Sequence, residues 1–139
     1  MEQPPDRNLE MNTVFAEEIM RWEKTEKYFP MFPGQFLVTP HEILHTVEDG
    51  WGDYLVKRFR PHVDRDDAMA LLEAWAAQKP SVLSWGILRR TGIYKDGDDT
   101  QDFRYLVSLY SEIGGYKCWS AERMKLPRAI VEAIWKHNE

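Results

Sequence analysis

The stretch FRYLVSLY, residues 103–110, decides the fold class of this chain. Alternate positions in it are apolar or aromatic, which is typical of a strand with one buried face. These positions are Phe103, Tyr105, Val107 and Leu109. A helix is the rival interpretation, because another apolar set recurs at helical spacing. That set is Phe103, Leu106, Val107, Tyr110 and Ile113. The β-branched and aromatic content of the stretch favours the strand.

Two further candidate strands lie on either side of this stretch. Leu83, Trp85 and Ile87 alternate before it, and residues 116–121 come after it, beyond the pair Gly114-Gly115. A Gly-Gly pair between two aromatic-rich runs predicts a tight hairpin turn. The sequence therefore predicts an α+β fold, in which a small, mostly antiparallel sheet of about three strands is packed with amphipathic helices. A mostly α fold is the alternative.

Helical periodicity surrounds these strands. The first helix is expected from Met11 until it fades near Lys27, the second from Asp64 to Pro80, and the last from Pro127. Asp64 is a good N-cap, Pro80 stops a helix, and proline is favoured in a first turn. The expected buried stripes are Met11, Phe15, Ile19, Trp22, Ala68, Leu71, Leu72, Trp75, Ile130, Ala133 and Ile134. Residues 1–8 are predicted to form a flexible tail and residues 9–139 a single α+β domain.

Composition argues against some functional classes, namely nucleic-acid-binding and membrane proteins. The 139 residues carry a formal net charge of −5, and their acids are interspersed with bases, which argues against direct binding of nucleic acid. The single cysteine, Cys118, fits a reducing compartment and is expected to be packed mid-strand. The N-terminus is polar, and no apolar run approaches the length of a membrane span. The sequence therefore predicts a cytoplasmic protein without a membrane contact.

The string HEILH, residues 41–45, resembles the zincin motif. On a helix, His41 and His45 would share a face and could bind one zinc ion, with Glu42 as the base that activates water. A third ligand is missing, since His62 and His137 lie in unsuitable contexts. A zinc-dependent hydrolase is therefore kept as the alternative function, with zinc as its cofactor.

A structural interpretation of the same string is preferred. Thr39 is suited to the N-cap of a short helix that opens at Pro40 and ends near Gly50, and Glu42 would reach back to it in a capping box. Val38 and Ile43 have the spacing of a hydrophobic staple. In this arrangement Glu42 binds backbone amides and cannot act as a base. We therefore predict no catalytic residue, no metal ligand and no cofactor.

Two loops are the predicted contacts with a protein partner. One is the segment DGWGD, in which Trp51 lies between two glycines and is a candidate exposed anchor, although the interpretation that its ring plugs the edge of the core is preferred. The other is the acidic stretch 96–102, a solvated turn that lacks the glycine and glutamate of a calcium loop. The predicted partner-binding residues are Asp49, Trp51, Asp53, Asp96, Asp98 and Asp99.

Two segments near the first loop are less regular. Residues 28–34, rich in aromatics and proline, predict an extended stretch whose rings pack down. Residues 51–60 fit either one strand or a helical turn and a loop.

Three segments resemble small bacteriophage and prophage proteins of the phage ABA-sandwich type. They are FAEEIMRW at 15–22, DAMALLEAW at 67–75 and LPRAIVEAI at 126–134. Residues 28–63 depart from that pattern like an insertion. The resemblance implies a sheet with helices packed on it, an origin in a mobile element and no catalytic residues. With the small acidic chain and its aromatic content, it predicts a non-catalytic protein-binding domain that inhibits or sequesters a host or defence protein. Self-association stays open.

Overall fold

The computed structural model describes residues 7–26, 28–78, 83–112 and 117–138. The fold is α+β, as predicted, with mostly antiparallel sheets. The chain divides into two compact units, Met1–Arg60 and Pro61–Glu139. That residues 9–139 form one domain stays a prediction. Of the predicted tail, residues 1–8, the first six lie outside the described residues. Residues 7 and 8 belong to the first helix, which begins at Arg7.

The N-terminal unit contains one helix and a four-stranded sheet. Helix α1 spans Arg7–Val14 and continues in a π-helical turn, Phe15–Ile19. The strands are β1 (Glu23–Lys24), β2 (Gln35–Val38), β3 (Ile43–Glu48) and β4 (Tyr54–Arg58). They lie in the order β1-β2-β3-β4, with β1 parallel to β2 and the other pairs antiparallel. The buried apolar side chains are Met11, Phe15, Ala16, Ile19, Phe36, Ile43 and Phe59.

The first helix is shorter than its apolar stripe predicted. It ends after Ile19, because Arg21 adopts a left-handed backbone conformation with φ of 62°. The backbone N–H of Met20 bonds to the carbonyl of Phe15 at 2.9 Å, which closes the π-helical turn. The chain then enters β1, so Trp22 lies beyond the helix. Its ring still packs in this unit, stacked on His45.

The short helix predicted from Pro40 to Gly50 is wrong, because these residues form the turn into β3 and β3 itself. Thr39 does accept the backbone N–H of Glu42, at 3.0 Å, as the capping interpretation required. Here that bond closes a hairpin loop, and the N–H of Thr39 also donates to the carbonyl of Glu42 at 2.9 Å. Val38 and Ile43 are cross-strand partners instead of a hydrophobic staple.

The C-terminal unit contains the predicted three-stranded antiparallel sheet. Its strands are β5 (Leu83–Asp96), β6 (Asp99–Ser111) and β7 (Lys117–Arg123), in that order. The stretch 103–110 is therefore a strand and not a helix. Val107 and Leu109 are fully buried, as the alternation required. Tyr116 and the predicted Gly114-Gly115 turn lie outside the described residues.

Two helices complete this unit, α2 (Arg65–Ala77) and α3 (Leu126–Asn138). Helix α3 packs on β6, β7 and α2. The predicted stripes are confirmed on both helices, since Ala68, Leu71, Leu72, Trp75, Ile130, Ala133 and Ile134 are all buried. None of the helices in the described ranges is both long and apolar enough to cross a membrane.

The β5–β6 hairpin is longer than β7. Strand β7 pairs with residues 105–111 of β6, so residues 90–104 form a two-stranded arm beyond the three-stranded sheet. The register shifts between Thr91 and Tyr94, where two residues of β5 oppose one of β6, a β-bulge that bends and twists the arm. At Gly92 a Cβ atom would lie 3.1 Å from the hydroxyl of Tyr94, so any larger residue there would make the Tyr94 ring shift by a few tenths of an ångström.

The start of α2 gives a first testable prediction. The carboxylate of Asp64 accepts the backbone N–H of Asp67 at 3.0 Å and so satisfies a donor that the helix leaves free. We expect Asp64→Ala to lower the free energy of unfolding by about 1 kcal/mol. Asp66→Ala, measured in salt, is the matched control, because its exposed carboxylate interacts with the helix dipole, and salt screens that interaction to about 0.3 kcal/mol or less. Urea denaturation compares the two; an equal loss in both would contradict the cap.

Candidate functional site

The turn between β3 and β4 is held in one conformation by its first carboxylate. The Oδ1 atom of Asp49 accepts the backbone N–H groups of Trp51 at 2.7 Å and Asp53 at 3.2 Å. Gly50 and Gly52 have φ of 88° and 89°, values that side chains with a Cβ atom rarely adopt. The DGWGD sequence thus builds a turn that is preorganised by its own side chain.

This turn presents Trp51 to solvent. Its side chain is 91% exposed, so the interpretation of Trp51 as a plug at the edge of the core is wrong. The next apolar residues, in β4, are exposed too: Tyr54 by 54%, Leu55 by 53% and Val56 by 47%. We call Trp51, Tyr54, Leu55 and Val56 the hairpin surface. The sequence of residues 51–60 is compatible with a strand or with a helical turn and a loop. In the structure Tyr54–Arg58 form a strand at the edge of the sheet. Single exposed apolar residues are common, but such a run is not.

The aromatic segment before β2 is exposed as well. Tyr28 is 86% exposed, and Phe29, Met31 and Phe32 are all about half exposed, so the expectation that these rings pack down is wrong. The backbone explains their position, because the carbonyl of Pro30 accepts the hydroxyl of Thr46 at 2.7 Å and ties the segment to β3. Pro30 is buried, while the rings that flank it face outward. Exposed aromatic surface in this unit is therefore larger than the hairpin surface alone.

The second predicted contact lies at the tip of the arm. Asp96 and Asp99 are the last cross-strand pair, joined by Gly97 and Asp98. Gly97 has φ of 61°, as the first central position of a type II′ turn requires. The turn is thus only two residues long, and residues 99–102, predicted as part of it, belong to β6. Asp98, Asp99 and Asp102 are exposed, and so is Ile93, by 83%.

The histidine string does not form a zinc site in this arrangement. His41 is exposed in the turn before β3, whereas His45 is buried within the strand, so the two imidazoles do not converge as they would on a helix. The carboxylate of Glu42 pairs with the guanidinium of Arg58 at 2.8 Å, so it neither caps a helix nor faces His45. Within the described ranges no three His, Cys, Asp or Glu side chains are grouped to hold a metal ion.

His45 instead belongs to an aromatic cluster. Its ring stacks on Trp22 with centroids 4.3 Å apart and meets Phe59 edge-on at 6.0 Å. Burial, together with the charge of Lys57, lowers the pKa of His45 from 6.5 to about 4. The Nε2 atom has no hydrogen-bond partner among the described residues. A neutral, buried imidazole of this kind acts as part of the core of the unit.

Two places in the C-terminal unit also carry reactive or polar groups. Cys118 is exposed on β7, so the expectation that it is packed is wrong; alternation along β7 turns it away from the buried Ala121. A cavity of about 410 Å³ is lined partly by Arg123 and Arg128. The guanidinium of Arg123 pairs with Glu132. Among the described residues, neither place brings an acid, a base and a nucleophile together as catalysis requires.

Of the six predicted contact residues, the structure brings Asp49, Trp51 and Asp53 together in one turn, and Asp96, Asp98 and Asp99 in another. Sequence reasoning missed Tyr54, Leu55 and Val56. These three residues form an apolar run without polar residues between them, which is typical of a strand buried on both faces. In the structure the strand instead lies exposed at the edge of its sheet.

The chain matches no known protein family, no curated protein and no solved structure.

Proposed function

We propose that this protein is a non-catalytic binding domain of phage or prophage origin that inhibits or sequesters a host or defence protein. The observation that carries the proposal is Trp51, a tryptophan 91% exposed at the tip of a preorganised turn. Tryptophan is among the residue types most enriched where binding energy is concentrated at protein interfaces. A chain gains nothing for its own stability by exposing such a side chain to water.

The rigidity of the turn supports a binding role further. Because Asp49 already bonds the backbone N–H groups of Trp51 and Asp53, little backbone entropy is lost when the turn meets a partner. The fitting counterpart is an apolar pocket that accepts the indole ring. Tyr54, on the same hairpin, adds a second aromatic anchor with a polar hydroxyl.

The arm, in the C-terminal unit, is a second and separate proposed contact, and it is charged. Its tip carries the exposed Asp98 and Asp99 on a tight turn, with Asp96 paired to Asp99 across the strands and Ile93 exposed nearby. Clustered carboxylates attract a basic surface and raise the rate of association more than the final affinity. The proposed partner therefore offers a basic patch in addition to an apolar pocket. The resemblance of the helical segments supports the proposed origin in a mobile element and the proposed action on a host or defence protein, and the single cysteine supports a cytoplasmic location.

The test measures binding to a purified partner identified with the wild-type chain from the native host. Trp51→Ala is expected to weaken the equilibrium affinity by about 30-fold or more, the effect of losing an interface hot spot. Reversal of Asp96, Asp98 and Asp99 to lysine is expected to slow association and to reduce its salt dependence. Tyr28→Ala is the matched control, because Tyr28 is an exposed aromatic of the same unit outside the hairpin surface. Unchanged binding in both the Trp51 and the arm variants would refute the proposal.

A further inference from the structure

The outer edge of β4 is an open pairing surface. β4 is the last strand of its sheet, and no described strand lies on its other side. All five of its residues are exposed. An edge strand presents unpaired N–H and C=O groups, and natural proteins normally protect such an edge when it is apolar. Here the apolar run Tyr54, Leu55 and Val56 is left in solvent, which indicates that something covers it in the functional state.

The hydrogen bonds of the β3–β4 hairpin determine which residues face that edge. At one end the N–H of Asp49 bonds to the carbonyl of Asp53 at 3.0 Å, and at the other the N–H of Phe59 bonds to the carbonyl of Ile43 at 2.9 Å. In an antiparallel ladder, hydrogen-bonded pairs alternate with non-bonded pairs.

The register between these two ends assigns each residue of β4 to one side. Counting alternate pairs from either end gives the same result: Leu55 and Lys57 direct their backbone N–H and C=O groups toward β3. Tyr54, Val56 and Arg58 therefore direct their N–H and C=O groups to the open edge. A strand added there would bond to these residues.

The charges along this edge are self-complementary. Asp53 precedes the strand and Lys57 lies near its other end, while Arg58, the last residue, already pairs with Glu42. A second copy of the same strand, running antiparallel, would set the acidic end of one against the basic end of the other. No foreign partner is needed to explain this pattern, and an isologous contact with two-fold symmetry is the commonest form of homodimer.

We infer that the chain forms a homodimer through antiparallel pairing of β4 with β4 of a second copy, with the two-fold axis at Leu55. In a pair of antiparallel strands, side chains that lie directly opposite each other point to the same face of the sheet. A symmetric pair of β4 strands must therefore have its two-fold axis at a residue and not between two residues. The Leu55-centred register places Leu55 opposite Leu55 and Asp53 opposite Lys57. It also lets Tyr54 and Val56 exchange backbone hydrogen bonds across the interface.

Neighbouring registers fit less well. Centring on Val56 would place Asp53 opposite Phe59 and Tyr54 opposite Arg58, so the carboxylate would lose its counter-charge. Centring on Lys57 would bring two like charges face to face, which destabilises a sheet. The test of the dimer is separate from the test of the proposed partner contact at Trp51, because dimerisation is measured with the purified chain alone.

The experiment is sedimentation equilibrium of the full chain over a range of concentrations and salt. We expect a monomer–dimer equilibrium that weakens with salt. Asp53→Lys and Lys57→Asp are each expected to weaken dimerisation by about tenfold or more, because each places two like-charge pairs in the symmetric interface. The double variant Asp53→Lys/Lys57→Asp should restore it. Glu73→Lys, an equal charge change at an exposed position of α2, should leave the equilibrium unchanged.

Backbone pairing is tested by proline. Val56→Pro removes an N–H that faces the open edge and leaves the bonds to β3 in place, so it should abolish the dimer while circular dichroism stays that of the folded chain. A wild-type chain that remains monomeric at millimolar concentration would overturn the inference. A dimer that survives both charge reversals and Val56→Pro would do the same, and failure of the double variant to restore dimerisation would overturn the Leu55-centred pairing.

Discussion

Between pH 7 and pH 4 the protein is expected to lose about 3 kcal/mol of stability through His45 alone. In the folded chain the pKa of His45 is lowered to about 4, because its imidazole is buried and lies near Lys57. In the unfolded chain the same imidazole titrates with a pKa near 6.5. Between pH 6.5 and pH 4, His45 is therefore protonated in the unfolded state and neutral in the folded state. Acid consequently shifts the equilibrium toward unfolding.

The sign of this effect defines the pH window. The contribution of a neutral His45 is present in full above about pH 6.5 and is lost progressively as the pH falls to about 4, the pKa of the folded state. Below that value the folded state also binds the proton, so the loss levels off. The wild type by itself does not isolate the histidine, so a variant without the imidazole is needed.

The variant His45→Phe isolates the contribution of His45 to the pH dependence of stability. Phenylalanine keeps an aromatic ring against Trp22 and Phe59 but cannot be protonated, and it removes the unpaired Nε2 atom from the core. We expect the variant to be at least as stable as the wild type at pH 7 and to lose about 3 kcal/mol less on going to pH 4, measured by urea denaturation at each pH. His41→Phe makes the same substitution at an exposed position and is not expected to reproduce the effect of His45→Phe. Identical pH profiles for His45→Phe and the wild type would contradict the burial of His45 in a neutral form.

Trp75→Ala is expected to lower the free energy of unfolding by about 3–5 kcal/mol, the cost of deleting a large buried aromatic side chain. Trp75 is 1% exposed on α2, and its Nε1–H donates to Nδ1 of His137 on α3 at 3.1 Å. The side chain thus joins the two helices by packing and by a polar contact. Hydrogen exchange of the α2 and α3 amides, together with urea denaturation, should report the loss in this unit.

Trp75→Phe separates the two contributions. It retains most of the buried ring but leaves Nδ1 of His137 without its donor, so a smaller loss of about 1–3 kcal/mol is expected. Trp119→Ala is the comparison on β7, since its ring meets His137 at 4.6 Å but is only half buried. A loss in Trp119→Ala equal to that in Trp75→Ala would show that burial of Trp75 is not what stabilises the helix pair.

The C-terminal unit could be predicted largely from local pattern. Asp64 marks the start of α2 by a hydrogen bond to Asp67, three positions later in the chain, and the alternation of Val107 and Leu109 marks a buried face. Such signals need no knowledge of distant residues. The length of the arm was not visible, because a strand that extends beyond its neighbour has the same local periodicity as one that does not.

The N-terminal unit shows where local reasoning fails. Thr39 accepts the N–H of Glu42 in the structure, and that bond is common to a helix start and to a tight turn. The conformation of residues 43–48 depends on β2 and β4, which pair with them and compensate the backbone groups that a helix would have satisfied internally. The choice between helix and strand is therefore made by pairing with β2 and β4, which the capping signature around Pro40 does not report.

Sequence alone indicated the α+β fold class, the core faces of α2 and α3 and the turn that carries Trp51, because each depends on the spacing of residues close in the chain. Only the tertiary structure decided that HEILH is a turn and a strand, that His45 is buried and that β4 is an exposed edge. These are properties of strand pairing and solvent access, which arise from contacts between distant segments. The two surfaces through which we propose that this protein binds a partner and a second copy of itself result from those contacts.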